Sequence, residues 1–258
     1  MVYVVLLLLI GSLFLRYMFK KAHADYLEKT IWEEEKFSNT KPLTIFFISD
    51  IHKRIINDET LSKTDEVDLT VIGGDLCEKG VSLKRIKENI VKLKNLNAPV
   101  IFVWGNNDYE INFHDLEVLL KENGVHILCD EVMEFELANE FKLSVIGLDS
   151  PSIKDVYPNY AFDNAIGEYV ILAIHEPKTY HLLTEQQQNR VDLVLSGHTH
   201  GGQIRILGWG LQPRGGWKQK GKSNFLISEG YGTTKLPLRL GTRATCHQIT
   251  IHSKSFEK

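Results

Sequence analysis

Ser196-Gly197-His198-Thr199-His200-Gly201-Gly202-Gln203 is the stretch from which the fold of this chain can be read. The run Asp192-Leu193-Val194-Leu195 before it, apolar after its first residue, predicts a short buried strand. Two histidines at i and i+2 on a sharp glycine-rich turn can point into one cleft, and imidazole is the commonest metal-binding side chain. The flanking glycines permit positive φ and a close approach of backbone to an ion or anion. Taken alone, the pair is equally two solvated loop histidines.

Working outward, the same arrangement recurs four more times. Residues 43–48, 69–72, 100–103 and 169–174 are apolar runs of strand length. They end in Asp50 and His52, Asp75, Asn106, and His175 respectively. Ligands in open α/β sheets gather beyond the carboxyl ends of strands. Seven oxygen and nitrogen donors gathered there exceed what one ion needs. Carboxylate, amide and imidazole together suit Zn, Mn or Fe rather than Mg or Ca. Two divalent ions sharing one bridging carboxylate fit the count. Each donor has an ordinary alternative, since loop Asp and Asn cap helices and histidines bond to backbone. Five such endings in order, each after a buried strand, outweigh it.

Helices are expected over residues 58–66, 82–96, 113–123 and 178–188, with Gly124 as a stop signal. Residues 132–137 and 142–147 read as a hairpin, and 150–167 as a surface loop. Strands at 203–206, 225–228 and 244–251 close the chain. Strand and helix alternate at first and strands dominate later, which predicts an α/β layered domain with a mixed sheet.

Asp50-x-His52, Gly74-Asp75, Gly105-Asn106-x-Asp108, His175 and Gly197-His198-x-His200 resemble the calcineurin-like metallophosphoesterase signature, over roughly residues 43–252. The resemblance implies a four-layer α/β/β/α sandwich with a dinuclear site. By analogy Asp50, His52, Asp75 and His200 hold one ion, and Asp75, Asn106, His175 and His198 the other, with Asp75 bridging. Such ions acidify water and neutralise phosphoryl oxygens during in-line attack on phosphorus. The Gly201-Gly202-Gln203 extension is similar to a bacterial branch with membrane-anchored members, some of which cleave UDP-diacylglucosamine-type pyrophosphates. One position departs from the pattern. The third motif of the family has His after Asn, as proton donor or phosphate contact, and this chain has Asn107. An amide is no general acid at neutral pH. Asn107 and Asp108, which would orient the usual His, are the candidate catalytic residues.

Residues 2–15 are almost unbroken apolar, and with Tyr17, Met18 and Phe19 reach the lower limit of a membrane span. Ala22-His23-Ala24 resembles a signal cleavage site, but no basic residue precedes the run and Arg16, Lys20 and Lys21 follow it. These place the C-terminal side in the cytoplasm. The expected organisation is a single-pass anchor at 1–21, a juxtamembrane helix and linker at 22–41, and a metallophosphoesterase domain at 42–258. With 43% apolar residues that domain can bury a sizeable core. Three cysteines without CxxC spacing fit a reducing compartment and no disulfide framework.

From 203 to 243 eight Lys or Arg stand against one acid, Glu229, with Trp209 and Trp217 between them. This is a solvated edge, or a basic rim for an anionic substrate or anionic lipid. No nucleic-acid reader motif is present, and the net charge of −3 argues neither way. The expected function is a membrane-anchored, metal-dependent hydrolase of an anionic phosphodiester or pyrophosphate. The alternatives are a phosphoprotein phosphatase and a non-catalytic binding module on the same fold.

Overall fold

The structure, a computed structural model, describes residues 1–254. Its strands are β1 (Asp25–Glu34), β2 (Leu43–Ile48), β3 (Leu69–Ile72), β4 (Val100–Val103), β5 (Val125–Leu128) and β6 (Glu131–Glu136). They continue with β7 (Lys142–Leu148), β8 (Tyr169–Ile174), β9 (Leu193–Ser196), β10 (Gly216–Lys220), β11 (Ser223–Ile227) and β12 (Ala244–Ser253). The helices are α1 (Val2–Ala22), α2 (Asp58–Leu61), α3 (Leu83–Lys94), α4 (Phe113–Glu122), α5 (Pro158–Asn164) and α6 (Glu185–Gln188). Two mixed six-stranded sheets result, in the orders β1-β12-β2-β3-β4-β5 and β10-β11-β9-β8-β7-β6.

The period of two in the strands builds the layers. Leu43, Ile45 and Phe47 of β2 face the second sheet, where they meet Leu143, Val145 and Ile171. Phe46 and Ile48 of the same strand face outward onto Ile86, Ile90 and Leu93 of α3 and Leu116 and Leu120 of α4. On the second sheet, Val170, Leu172 and Ile174 turn outward onto Ala161 and Phe162 of α5. Both faces of the central strands are therefore covered, which is why they read as continuous apolar runs. The Ser82 side chain caps α3 by accepting from Arg85 N–H. Gly124, at φ +69°, lets the chain leave α4 where a side chain would be strained.

The segment expected as a juxtamembrane helix is a strand. Residues 25–34 run parallel to β12 through ten register pairs, from Asp25–Ala244 to Glu34–Ser253. Leu27 packs on the outer core and Trp32 on the inter-sheet core. The open edge of β12 offers ten backbone partners, and that outweighs a loose helical spacing of apolar residues. The folded domain thus begins at Asp25 rather than residue 42. The helix expected at 178–188 is a 3-10 turn, Pro177–Leu182, and then α6, divided by the Thr184 capping box. The helix expected at 58–66 is the single turn α2, and the strand expected at 203–206 is reduced to isolated bridges, Ile204–Leu240 and Ile206–Trp209.

Helix α1 is exposed along nearly its whole length, with only Met18 and Ala22 buried. Its C-terminal end is mounted on the domain: Arg239 N–H donates to Met18 O at 3.1 Å and Arg54 to Ala22 O at 3.4 Å.

Candidate metal centre

The carboxyl ends of β2, β3 and β4 meet those of β8 and β9 at one end of the sandwich, and all seven expected donors come together there. Asp50, His52, Asp75, His198 and His200 each have left-handed backbone, with φ between 48° and 70°. Such conformations cost about 1–3 kcal/mol each in a non-glycine residue and persist only where surroundings over-determine them. Here Asp50 N–H bonds to Gly74 O, Ile51 and His52 N–H to Asp75 O, and Gly197 N–H to His175 O. Gly105 is obligatory, because a side chain there would overlap the Asp75 carboxylate.

Two groups of side chains lie within reach of a common ion: Asp50, His52 and His200, and Asp50, Asp75 and His175. His52 Nε2 lies 3.0 Å from His200 Nε2, and His200 Nε2 lies 3.4 Å from Asp50 Oδ1. Asp50 is common to both groups, and Asp75 Oδ2, in the second, also approaches the first, lying 3.8 Å from His52 Nε2 and 3.3 Å from His175 Nε2. His198 Nδ1 is 3.2 Å from His175 Nε2 and 2.9 Å from Asn106 Oδ1. His198 and Asn106 form the more open side, and the other donors are buried.

Acceptors lie behind two of the rings. The Glu78 carboxylate lies 3.0 Å from His52 Nδ1, and Gly73 O lies 2.9 Å from His175 Nδ1. Gly73 O accepts from His175 Nδ1, and Glu78 pairs with His52 beside its Nδ1, so that Nε2 of both rings is turned toward the Asp75 carboxylate. Positive charge, a proton or a metal cation, is favoured between those rings and the carboxylate. The electrostatics agree. Burial favours the acid form of Asp50, yet His200, His175 and His52 hold it down at about 2. Burial opposes charge on His175, yet Asp75 and Asp50 raise it to about 10. Burial, with His52 beside it, keeps His200 neutral by lowering it to about 4. The donor set therefore fits divalent cations: buried carboxylates demand positive charge, and imidazole nitrogens that can give up a proton to a metal are aimed at them.

The two expected catalytic residues differ. Asp108 is fully buried and accepts from Asp75 N–H at 2.8 Å, Gly105 N–H at 2.9 Å and Cys77 N–H at 3.0 Å. It ties the second and third motif loops together and touches no open surface. Asn107 is partly exposed. Its Oδ1 accepts from Asn106 Nδ2 at 3.0 Å, which turns Asn106 Oδ1 toward His198, and its backbone N–H donates to Asp75 Oδ1 at 2.8 Å. The basic segment does not form one rim. Arg239 is fully buried, Arg205 is bonded to the carbonyls of Gly201, Gly208 and Gln212, and Lys218 and Lys220 lie on β10 at a sheet edge.

Several supporting residues escaped sequence reasoning. Glu78, three residues after Asp75, pairs with His52 at 3.0 Å. Glu176, next to His175, is buried and accepts from Ser150 Oγ, Ser152 Oγ and Lys178 Nζ. The Arg239 guanidinium donates to Glu229 O, Gly230 O and Gly232 O, at 2.6, 2.9 and 2.7 Å. Acidic neighbours of ligands were a usable signal for the first two; nothing local marks Arg239.

Comparison with known proteins agrees with this geometry. Residues 43–202 match the family model described as calcineurin-like phosphoesterase. The chain is 39% identical over 237 residues to the uncharacterized protein YpbG of Bacillus subtilis, covering 91% of this chain and 90% of that one. It is 28% identical over 231 residues to the uncharacterized metallophosphoesterase YkoQ of the same organism, covering 81% and 84%. A transmembrane protein with a metallophosphoesterase domain from Bos taurus is 24% identical over 82% of this chain and 53% of its own length. Among solved structures, the sulfate thiohydrolase SoxB of Thermus thermophilus shares the fold, with TM-score 0.50 and 15% identity, over 81% of this chain and 56% of that protein. The seven-donor cluster on paired mixed sheets and these matches agree: the chain belongs to the calcineurin-like phosphoesterase family.

Proposed function

We propose that the chain is a membrane-anchored hydrolase of phosphodiesters or pyrophosphates that uses two divalent ions, Mn, Fe or Zn. Asp50, His52, Asp75 and His200 would hold one ion, and Asp75, Asn106, His175 and His198 the other. The observation that carries this reading is that Nε2 of His52 and Nε2 of His175 are both turned toward Asp75 Oδ2, with their Nδ1 atoms engaged behind the rings by Glu78 and Gly73 O. It favours Asp75 over Asp50 as the shared ligand, because Asp50 Oδ2 already accepts from Ser49 Oγ at 2.6 Å and its carboxylate also accepts from His198 N–H. Bound there, the ions supply Lewis acidity that activates water near neutral pH and offsets charge on the phosphoryl oxygens.

The chain's own residues do the rest. Gly73 O holds the His175 ring with Nε2 toward the site, Glu78 pairs with His52, and Asn107 aims the Asn106 oxygen. Asp108 and the left-handed backbone fix the loops so that little reorganisation is needed when substrate arrives. With an amide at 107, no acid stands at the family's usual position to protonate a leaving oxygen. This favours leaving groups stable as anions, such as phosphate or an aryl oxide, over alkoxides.

Helix α1 supports the anchor. It has 21 residues, about 30 Å at 1.5 Å per residue, with basic residues only at its C-terminal end. Arg16, Lys20 and Lys21 favour a cytoplasmic domain. The test is turnover of bis(p-nitrophenyl) phosphate against a phosphopeptide by the full chain, before and after chelation and with Mn²⁺ restored. Metal-dependent diester hydrolysis is expected. Preference for the phosphopeptide would favour the phosphatase reading, and no turnover of any phosphoester would leave only a binding module.

A further inference from the structure

The chain just after the histidine turn carries an apolar projection that the metal centre does not use. Ile206, Leu207, Trp209 and Leu211 are 65%, 96%, 82% and 97% exposed. Four large apolar side chains on six consecutive residues are unusual on a water-facing turn, where polar residues are the rule. The turn is not loose. Ile206 and Trp209 exchange backbone hydrogen bonds at 2.8 and 2.9 Å. Gly208, at φ +88°, allows the tight reversal. The Arg205 guanidinium fastens its base to Gly201 O and Gln212 O, each at 2.8 Å. The apolar side chains are thus presented outward by a braced scaffold.

Its position names the occupant. Arg205 N–H donates to Leu240 O at 2.7 Å, and the preceding residue, Arg239, donates its N–H to Met18 O of α1. The base of the turn is therefore one residue removed from the helix. Met18 lies in the last turn or so of α1, about 6 Å of helix rise before Ala22. A helix of about 30 Å that spans the hydrocarbon brings this end to the boundary with the headgroups. Cations surround this level. Arg16, Lys20 and Lys21 lie on the helix, and a cavity of about 450 Å³ at its end is lined by His23, Lys53, Arg85 and Lys235, with Glu78 as its one acid. Apolar tips with cations nearby match a bilayer interface with anionic headgroups, and Trp is the residue type enriched there.

We infer that the 206–211 turn inserts into the headgroup–acyl boundary of the leaflet that α1 enters, as a second membrane contact of this chain. The inference rests on α1 being a membrane anchor. Two contacts, one on either side of the Arg239–Leu240 strip, fix the orientation of the domain on the membrane. His200 lies in the same piece of chain, so the candidate metal centre is held at the bilayer surface, within reach of phosphoesters borne by lipids.

The test uses the full chain reconstituted into vesicles of phosphatidylcholine and phosphatidylglycerol, with and without a bromine-labelled phosphatidylcholine that quenches tryptophan at the acyl boundary. Wild type and Trp209→Phe are compared, with co-flotation as the check on α1. The expected result is a bromolipid-quenched emission component in wild type that is absent from Trp209→Phe. Co-flotation with equal bromolipid quenching in both proteins overturns the inserted turn while leaving the anchor standing. Failure to co-float overturns the anchor, and the inserted turn with it. Acrylamide separates the remaining possibility: a wild-type Trp209 component as accessible to it in vesicles as in detergent places the turn in water and overturns the proposal.

Discussion

Replacing Arg239 with Met tests whether a buried cation with no directly bonded carboxylate organises the metal-centre loops. The side chain is fully buried, and one of its nitrogens donates to the three carbonyls of Glu229, Gly230 and Gly232. Methionine keeps most of the apolar stem and removes three donated N–H groups, two on the nitrogen shared among the three carbonyls and one on Nη1 that reaches Thr242 Oγ1 at 3.3 Å. Hydrogen bonds from a charged donor contribute roughly 1.5–3 kcal/mol each, so the gross loss is roughly 5–9 kcal/mol. Relief from burying the guanidinium returns several kcal/mol. A net destabilisation of about 3 kcal/mol follows, which for a domain of this size lowers Tm by roughly 6–12 °C. The released loop also borders the metal centre, because a side chain at Gly230 would stand 2.8 Å from Asp50 Cβ. Thermal unfolding of the full chain in detergent, followed by circular dichroism, measures the shift, and elemental analysis of the same samples measures metal retention. A Tm within about 2 °C of wild type, with unchanged metal content, would refute the assignment of Arg239 as the brace of this loop.

Asn107→His should restore an acid at the family's usual position and speed alkyl phosphodiesters more than aryl ones, by up to roughly 10²-fold; a flat dependence on leaving-group pKa in the native protein would show that an acid already operates elsewhere. Glu78→Ala should weaken metal retention by roughly 10–100-fold, because His52 loses the carboxylate paired with it behind the ring, and competition with a metal indicator checks this. Cys77 and Cys246, both buried with their thiols pushed up by burial (Cys246 to about 12), should resist iodoacetamide at pH 8 in the folded protein and react once it is unfolded.

The sequence made the site legible for a physical reason. Each donor follows a short strand buried on both faces, and such strands are visible as apolar runs. Chain order then carries the donors to one end of two facing sheets. Other features depended on contacts distant in sequence. Residues 25–34 took a helical reading because nothing near them announces the open edge of β12, more than 200 residues away. Arg239 looked like one more cation in a basic stretch, and only the fold buries it against three carbonyls. Asp108 and Asn107 were legible as part of a motif, but their roles depend on which groups face them: three backbone N–H groups for Asp108, and the Asn106 amide for Asn107. The left-handed conformation of five donors was also hidden, since the flanking glycines drew attention while the strain falls on the aspartates and histidines themselves.

The central claim is that Asp75 is shared by two ions. Elemental analysis of the full chain after loading with Mn²⁺, wild type against Asp75→Asn and His200→Ala, tests it most directly. Two ions per chain are expected in wild type. Asp75→Asn should lose most of both, whereas His200→Ala should lose chiefly the ion shared with Asp50 and His52. Metal content unchanged in Asp75→Asn would contradict the account.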